Sequence, residues 1–420
     1  GYSASQISRW ETGRLPLRDV AVLRALAKVL HLPPEVFGLT APDAADRHSP
    51  TTAGSGHKVS RVTTPQTEEN DPVRRRAFLQ LAGMAGTSMA LPGTATAGAA
   101  IPAEVDPAAQ LASRLGDVLL GPVPPAEPAS LSVLREALAA ARQEFTACQY
   151  IPLATRLPTL LSTADATAGG IQDPQVQGTL AASYNLATRA LIKLEASGLE
   201  WLSADRGLRT ARGADNSLTL VESQRLVASV TRRAGQHDRA QALTLAAADY
   251  LDVHSPRPAP EHLAMYGMLH CSAGYAAARA GDRDRANDLL TEAEATTARL
   301  TDDPDRHRAL TANVVSHRVS VAYVSGDAGT ALAHCRSLPL AAIPTTERRA
   351  RLLVDAAQAW AQWGKPDRAY ATLLAAERTA PGEVHTRNAV RRLVGDLMAS
   401  PRQTAMPGLP ALAHRVHVAA

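Results

Sequence analysis

"GDRDRANDL", residues 281–289, decides how the rest of this sequence is read, because its pattern comes back three times without a gap. The other copies are "GQHDRAQAL" at 235–243, "GDAGTALAH" at 326–334 and "GKPDRAYAT" at 364–372. In every copy an alanine follows the glycine by five positions: Ala240, Ala286, Ala331 and Ala369. In three copies a second alanine follows by twelve (Ala247, Ala293, Ala376), Leu338 being the exception. The physical reading is a helical hairpin. One helix ends at the glycine, a short polar turn reverses the chain, and the next helix packs closely because alanine leaves room at the crossing. Such a hairpin buries its apolar face only by stacking on its neighbours, so a run of them predicts a right-handed superhelix with a concave inner surface. The spacings between copies, 46, 45 and 38 residues, call for long helices or loops.

The composition agrees with close-packed helices. A chain of 420 residues is too long for one ordinary core, so two or three domains with linkers are expected. Apolar residues make up 45% and aromatics only 4%, and the missing volume is supplied by alanine and leucine, which suits helices better than sheets. Cys148, Cys271 and Cys335 lie far apart with no metal-ligand spacing, so they are expected to be reduced, small core residues. No apolar run approaches the length of about 18 residues that a membrane-spanning helix needs, so no stable membrane insertion is expected.

From residue 104 to 420 the text is nearly all amphipathic helix with short polar turns, and residues 130–212, including "YNLATRALIKLEASGLEWLSADRGL", add one or two degenerate hairpins. The Gly, Ala and Ala spacing resembles the tetratricopeptide repeat, and Pro381 falls where that family places its closing proline. Because the intervals exceed the family's period of about 34 residues, the resemblance extends to a tetratricopeptide-like domain and no further. Trp201, Trp360, Trp363, Tyr184, Tyr266 and Tyr275 are expected in the core, and Arg348, Arg349 and Arg351 on a solvated helix face.

The front of the chain carries a different pattern. Ser3 and Gln6 have the spacing of a capping box, Ile7 and Trp10 share a face, and Gly13 follows the last turn, which predicts a helix of roughly nine residues from Ala4 to near Thr12. A second helix follows from about Asp19 to Leu30, and "LPPEVFGL" adds a short third. Residues 1–31 carry Arg9, Arg14, Arg18, Arg24 and Lys28 against Glu11 and Asp19, a basic excess of the kind nucleic acid attracts. "SASQISRWETGR" and "DVAVLRALAKVLHLPPEVFGL" resemble the recognition helix and following helices of the phage-repressor-like (XRE) helix-turn-helix family, a match of about 40 residues.

That resemblance implies that the first turns of the helix lie in the major groove of DNA. Ser5, Ser8 and Arg9 are then the base-contacting residues, Arg9 foremost because its guanidinium can grip guanine in bidentate fashion. Ser3, Thr12 and Arg14 fall where the family touches phosphate, and Glu11 at a position that is structural. Two helices precede the recognition helix in that family, and Gly1 already occupies the turn after them. Either the chain is a piece of a longer one or has a misplaced start, or the remnant does not bind DNA alone.

Residues 41–103 read as a flexible linker rich in Pro, Ser, Thr, Gly, Asp and Ala. Within it "DPVRRRAFLQLAGMAGTSMALPGTATAGAA" resembles a twin-arginine export signal, with Arg75 and Arg76 ahead of a mildly apolar stretch and small residues near Ala95 and Ala97. Its internal position favours a relic or packing helix in a cytoplasmic protein, as in similar regulators of the actinobacterial type. The alternative is export from a downstream start.

A catalytic reading finds little. His254, His262, His270 and His317 are scattered, and His270 cannot act on Cys271 by adjacency, because neighbouring helical residues point about 100° apart. No glycine-rich phosphate loop, nucleophile elbow or paired-histidine zinc motif is present. No enzyme activity, metal or cofactor is expected.

Taken together, the sequence predicts an all-α protein with three parts: a partial helix-turn-helix at 1–40, a linker at 41–103 and tetratricopeptide-like hairpins at 104–420. The function implied is a DNA-binding transcriptional regulator whose repeat domain binds a peptide or protein effector and forms a homodimer. The alternative is an interaction scaffold that does not bind DNA.

Overall fold

Asp–Pro pairs open three of the helices, and the reason is local. In Asp106–Pro107, Asp173–Pro174 and Asp303–Pro304 the aspartate carboxylate accepts from an early backbone N–H. The proline takes the first helical position, where no amide donor is missed. These starts belong to a computed structural model that describes residues 106–122, 126–170, 173–196 and 198–418. The features expected in residues 1–40 and 41–103, including all six DNA-contact residues and the twin-arginine stretch, lie outside the described residues.

Sixteen α-helices and no strand occur among the described residues. They are α1 (Pro107–Leu120), α2 (Leu131–Thr146), α3 (Tyr150–Gly170), α4 (Pro174–Leu194), α5 (Leu199–Ala211), α6 (Ser217–Arg233), α7 (His237–Ala248) and α8 (Pro260–Ala280), then α9 (Arg283–Ala298), α10 (Pro304–Val324), α11 (Ala328–Ser337), α12 (Thr346–Gln362), α13 (Pro366–Thr379), α14 (Pro381–His385), α15 (Asn388–Met398) and α16 (Leu409–Arg415). The fold is an all-α stack of helical hairpins.

The repeated glycines sit where the sequence puts them, between α6 and α7, α8 and α9, α10 and α11, and α12 and α13. All four are left-handed, with φ of 83°, 93°, 81° and 71°. Each closes its helix with the same two bonds. At Gly281 the glycine N–H donates to the Ala278 carbonyl at 3.1 Å and the next N–H, of Asp282, to the Ala277 carbonyl at 3.0 Å. Asp282 and Asp327 then cap the following helix by accepting from the Arg285 and Thr330 amides. A Cβ at Gly281 would touch nothing within 4 Å, so only the backbone conformation demands glycine. Gly281→Ala is therefore expected to cost about 1–2 kcal/mol, read as a fall in the urea midpoint, with Gly281→Asn costing less.

Ala240, Ala286, Ala331 and Ala369 are all buried at the hairpin crossings, as are Ala247, Ala293 and Ala376. Leu338 breaks the pattern for a visible reason: α11 is only ten residues long and ends at Ser337, so that position has left the helix. The long spacings come from the first helices of the hairpins, since α8 and α10 run to 21 residues each. Pro381 begins the short helix α14.

Residues 130–212 fold as α2 to α5, with α4 and α5 the hairpin expected there. Pro158 inside α3 cannot donate to the Ala154 carbonyl. Arg114 of α1 supplies the missing partner, donating to that carbonyl at 3.4 Å and to Thr155 Oγ1 at 2.8 Å.

The helices form two rows. The first helices of successive hairpins touch one another, α4 on α6, α6 on α8, α8 on α10 and α10 on α12, while α5, α7, α9 and α11 wedge between them from outside. The inner row does not remain open. Helix α2 packs on α4 at one end and on α12 at the other, and Ala350 of α12 and Ala380 join the core of Leu134, Phe145, Leu153 and Leu191. The first and last hairpins of this unit thus share one hydrophobic core.

Three expectations from sequence are corrected. Trp201 and Trp363 are exposed at 41% and 51%, because Trp201 lies on the outer helix α5 and Trp363 at a hairpin turn, where it stacks on half-buried Trp360 at 5.7 Å. Cys148 and Cys271 are buried, but Cys335 is half-buried on the short α11. Arg348 and Arg351 do not lie on a solvated face: both line the interior groove described next, and Arg349 donates to the Ile343 carbonyl at 2.9 Å.

Candidate functional site

Because the inner helices face one another, the residues that recur every three or four positions along them converge on a common space. Arg189, Ile192 and Lys193 do so on α4; Arg225, Ser229 and Arg232 on α6; Met268, Tyr275 and Arg279 on α8. Ser316, His317, Ser320 and Tyr323 come from α10, Arg348, Arg351 and Asp355 from α12, and Arg392 from α15. They wall a groove of about 670 Å³, within the range of about 300–1,000 Å³ typical of ligand sites.

The groove is strongly basic. Ten cationic side chains line it (Arg189, Lys193, Arg225, Arg232, Arg233, Arg279, Arg348, Arg351, Arg387 and Arg392) against the carboxylates of Glu195, Glu347 and Asp355. Six of these cations have a carboxylate. Arg225 grips Glu222 through two bonds of 2.7 Å, and Arg351 holds Asp355 at 2.9 and 3.0 Å. Arg348 lies 3.5 Å from Glu347 and Arg392 3.8 Å from Glu195. Lys193 and Arg387 belong to the buried cluster below.

Arg189, Arg232, Arg233 and Arg279 have no carboxylate partner among the described residues. Two of them rest on aromatic rings instead: Arg189 over Phe145 at 5.0 Å and Arg232 over Tyr275 at 4.6 Å.

Burial and mutual repulsion show in the titration of these groups. Burial lowers Arg232 to about 10, with Arg279, Arg233 and Arg351 pushing the same way and Tyr275 opposing. Burial likewise lowers Arg189, with Arg225 and Arg348 pushing the same way and the more distant charges of Glu222 and Glu347 opposing. Burial would raise the Glu222 carboxyl, but the charge and hydrogen bonds of Arg225 outweigh it and hold it below the usual range. His317 is driven down to about 3 by burial, against the help of its 2.7 Å bond from Nδ1 to the Asn313 carbonyl. Its imidazole is neutral, so the positive field of the groove is that of the guanidiniums and Lys193.

One wall of the groove is a buried ionic cluster that ties distant parts of the chain together. Lys193 Nζ of α4 lies 2.6 Å from Glu347 of α12 and 2.9 Å from Glu383 of α14, and it also faces the Phe145 ring at 4.6 Å. Arg387 forms a close ion pair with Glu383, and the Tyr150 hydroxyl donates to the same carboxylate at 3.1 Å. Glu383 is fully buried and the Lys193 side chain only 7% exposed. Outside the cluster Asn388 Nδ2 donates to Glu195 at 3.1 Å.

The histidines and cysteines singled out in the sequence are dispersed. His270 Nδ1 bonds the Tyr266 carbonyl at 3.0 Å while Cys271 packs into the core. His262 Nδ1 accepts from the Asp252 amide at 3.3 Å, and His254 is exposed in the preceding turn. Among the described residues no three His, Cys, Asp or Glu side chains are placed to hold a metal ion, and no helix is long and apolar enough to cross a membrane.

Of the aromatics, Tyr184 is buried as expected, whereas Tyr275 lines the groove. The sequence pattern singles out Arg348 and Arg351 but assigns them to a solvated face, and it gives no prominence to Arg189, Arg225, Arg232 and Arg279. A partial signal existed: arginine stands two residues before the repeat glycine in the first two copies, as Arg233 and Arg279. Comparison of the chain with models of known protein families and with curated proteins gives no match.

Proposed function

We propose that this chain is a DNA-binding transcriptional regulator whose helical-repeat unit is the receptor for a peptide or protein effector. The observation that supports the receptor role is the basic groove itself. It is assembled from six or more helices far apart in sequence, and four of its guanidiniums lack a carboxylate. Such a surface contributes little to stability and much to recognition of an anion. The DNA-binding half rests on the pattern of Ser3, Ser5, Ser8, Arg9, Thr12 and Arg14, and the mechanism on coupling: an effector that binds one arrangement of the hairpins better than another biases the spacing of two reading helices in a homodimer.

The test is binding of the full chain, with any upstream coding sequence restored, to a library of genomic fragments at low salt. A subset is expected to bind with strong salt dependence. Arg9→Ala is expected to weaken that binding by about 1–3 kcal/mol and to relax base preference at one position. Indifference to every fragment would remove the DNA-binding half of the reading.

A further inference from the structure

The four unpaired arginines of the groove differ in kind from the six paired cations around them. A guanidinium carries five N–H donors in a fixed fork, and an arginine gripped by a carboxylate, such as Arg225 or Arg351, has spent part of that fork on the protein. Arg189 and Arg232 are held in place by ring faces, which fix the plane of the guanidinium and consume no donor. Arg279 is exposed at the end of α8, and its charge is one of those that lower Arg232. At Arg189 and Arg232 the positive charge is pre-positioned, largely desolvated and without a carboxylate in ion-pair contact, which is the condition under which an incoming anion gains most.

The placement of these groups also restricts the shape of the anion. Arg189, Arg232 and Arg279 lie on α4, α6 and α8, three successive members of the inner row. Packed helices stand about 8–10 Å apart, and an extended chain advances about 3.3 Å per residue. One anionic side chain at every third residue of an extended segment therefore keeps step with one helix after another. A single phosphate-sized group would meet one or two of the helices and leave the others unsatisfied.

We infer that the groove binds an extended acidic peptide segment, whose carboxylates at about three-residue intervals are received by Arg189, Arg232 and Arg279. This inference rests on the groove being the effector site. It adds the charge and spacing of the ligand, and carboxylates are the partners that Arg225, Arg351 and Arg387 already take within the same walls.

The experiment uses the full chain and a fluorescent peptide of roughly nine residues with glutamate at every third position, spaced to match the helices. Its controls are the same peptide with glutamine, and inorganic tripolyphosphate as a compact polyanion. The glutamate peptide is expected to bind at least about tenfold more tightly than the glutamine peptide, a difference that shrinks as salt is added. Arg232→Met and Arg189→Met are each expected to weaken it about tenfold. Arg279→Gln, at an exposed position that leaves the core untouched, does so without changing the unfolding midpoint. Arg239→Met, which removes the same charge from the exposed face of α7, leaves binding unchanged.

Equal binding of the glutamate and glutamine peptides would overturn the inference, as would equal losses from Arg279→Gln and Arg239→Met. Tight binding of tripolyphosphate with none of the glutamate peptide would overturn it in favour of a compact oxyanion. The DNA assay is separate, so failure of the peptide with DNA binding intact rejects the ligand class and leaves the regulator reading standing.

Discussion

Replacing Lys193 by methionine is expected to cost the fold about 3–5 kcal/mol, because it leaves two interior carboxylates, Glu347 and Glu383, sharing one fewer cation, and Glu347 loses its nearest one. Lys193 touches both Glu347 and Glu383, and its ammonium and the two acids are all nearly shut off from water. Arg387 remains, but it already pairs with Glu383 and lies 4.0 Å from Glu347. Methionine replaces the lysine with an uncharged side chain of similar length, so the loss reports mainly the ammonium, including its place over the Phe145 ring, and not the packing volume.

The double replacement Lys193→Met with Glu383→Gln removes one charge of each sign and is expected to recover at least half of the loss. Equal instability of the two variants in urea would show that side-chain shape, and not charge balance, holds the ends together.

The same cluster sets an acid limit. Burial would raise the Glu347 carboxyl, but Lys193, Arg348 and Arg387 together overcome it and hold the group well below the ordinary carboxylate range. A carboxyl depressed in the folded state contributes stability at pH values above its unfolded value of about 4.3. That stability disappears as pH falls below that value. Stability of the wild type should therefore decline below about pH 4.5 more steeply than that of Lys193→Met, a comparison that urea midpoints at pH 7, 5 and 4 supply.

Gly382→Ala is expected to be nearly as damaging, at about 3 kcal/mol. Gly382 lies in α14, and a Cβ there would stand 2.5 Å from the carbonyl oxygen of Cys148, with the Tyr150 ring at 3.3 Å. The first obstacle is backbone and cannot swing aside, so α14 has to withdraw. That withdrawal pulls Glu383 from Lys193 and Tyr150. Gly395→Ala is the matched control: it lies in α15 with nothing within 4 Å of the added atom, and is expected to stabilise by about 0.4–1 kcal/mol through the unfolded chain. Similar effects of the two substitutions on the unfolding midpoint would contradict the close approach at Gly382.

These two positions show where reading the sequence stopped. Gly281 and its three counterparts were legible because a helix-ending glycine is a local requirement, met by bonds to carbonyls a few residues away. Ala286 and Ala293 were legible because closeness of two helices in one hairpin depends on residues near each other in the chain. Lys193 was not legible as a clasp, since its partners are 154 and 190 residues distant. Nor was Gly382, whose neighbour Cys148 belongs to the loop before α3. Arg348 and Arg351 looked like a solvated stripe because nothing local reveals which side of α12 faces another helix.

The amino-acid order alone therefore determined the all-α class, the hairpin unit, its turns and its close-packed alanines, since each of these is a short-range matter of backbone conformation and side-chain size. Tertiary structure decided that the inner row brings α12 back against α2, and that arginines from α4, α6, α8, α12 and α15 face a shared groove. It also decided that a buried lysine joins the first hairpins to the last. Those outcomes depend on how small rotations between successive hairpins accumulate, and no single stretch of sequence records that sum.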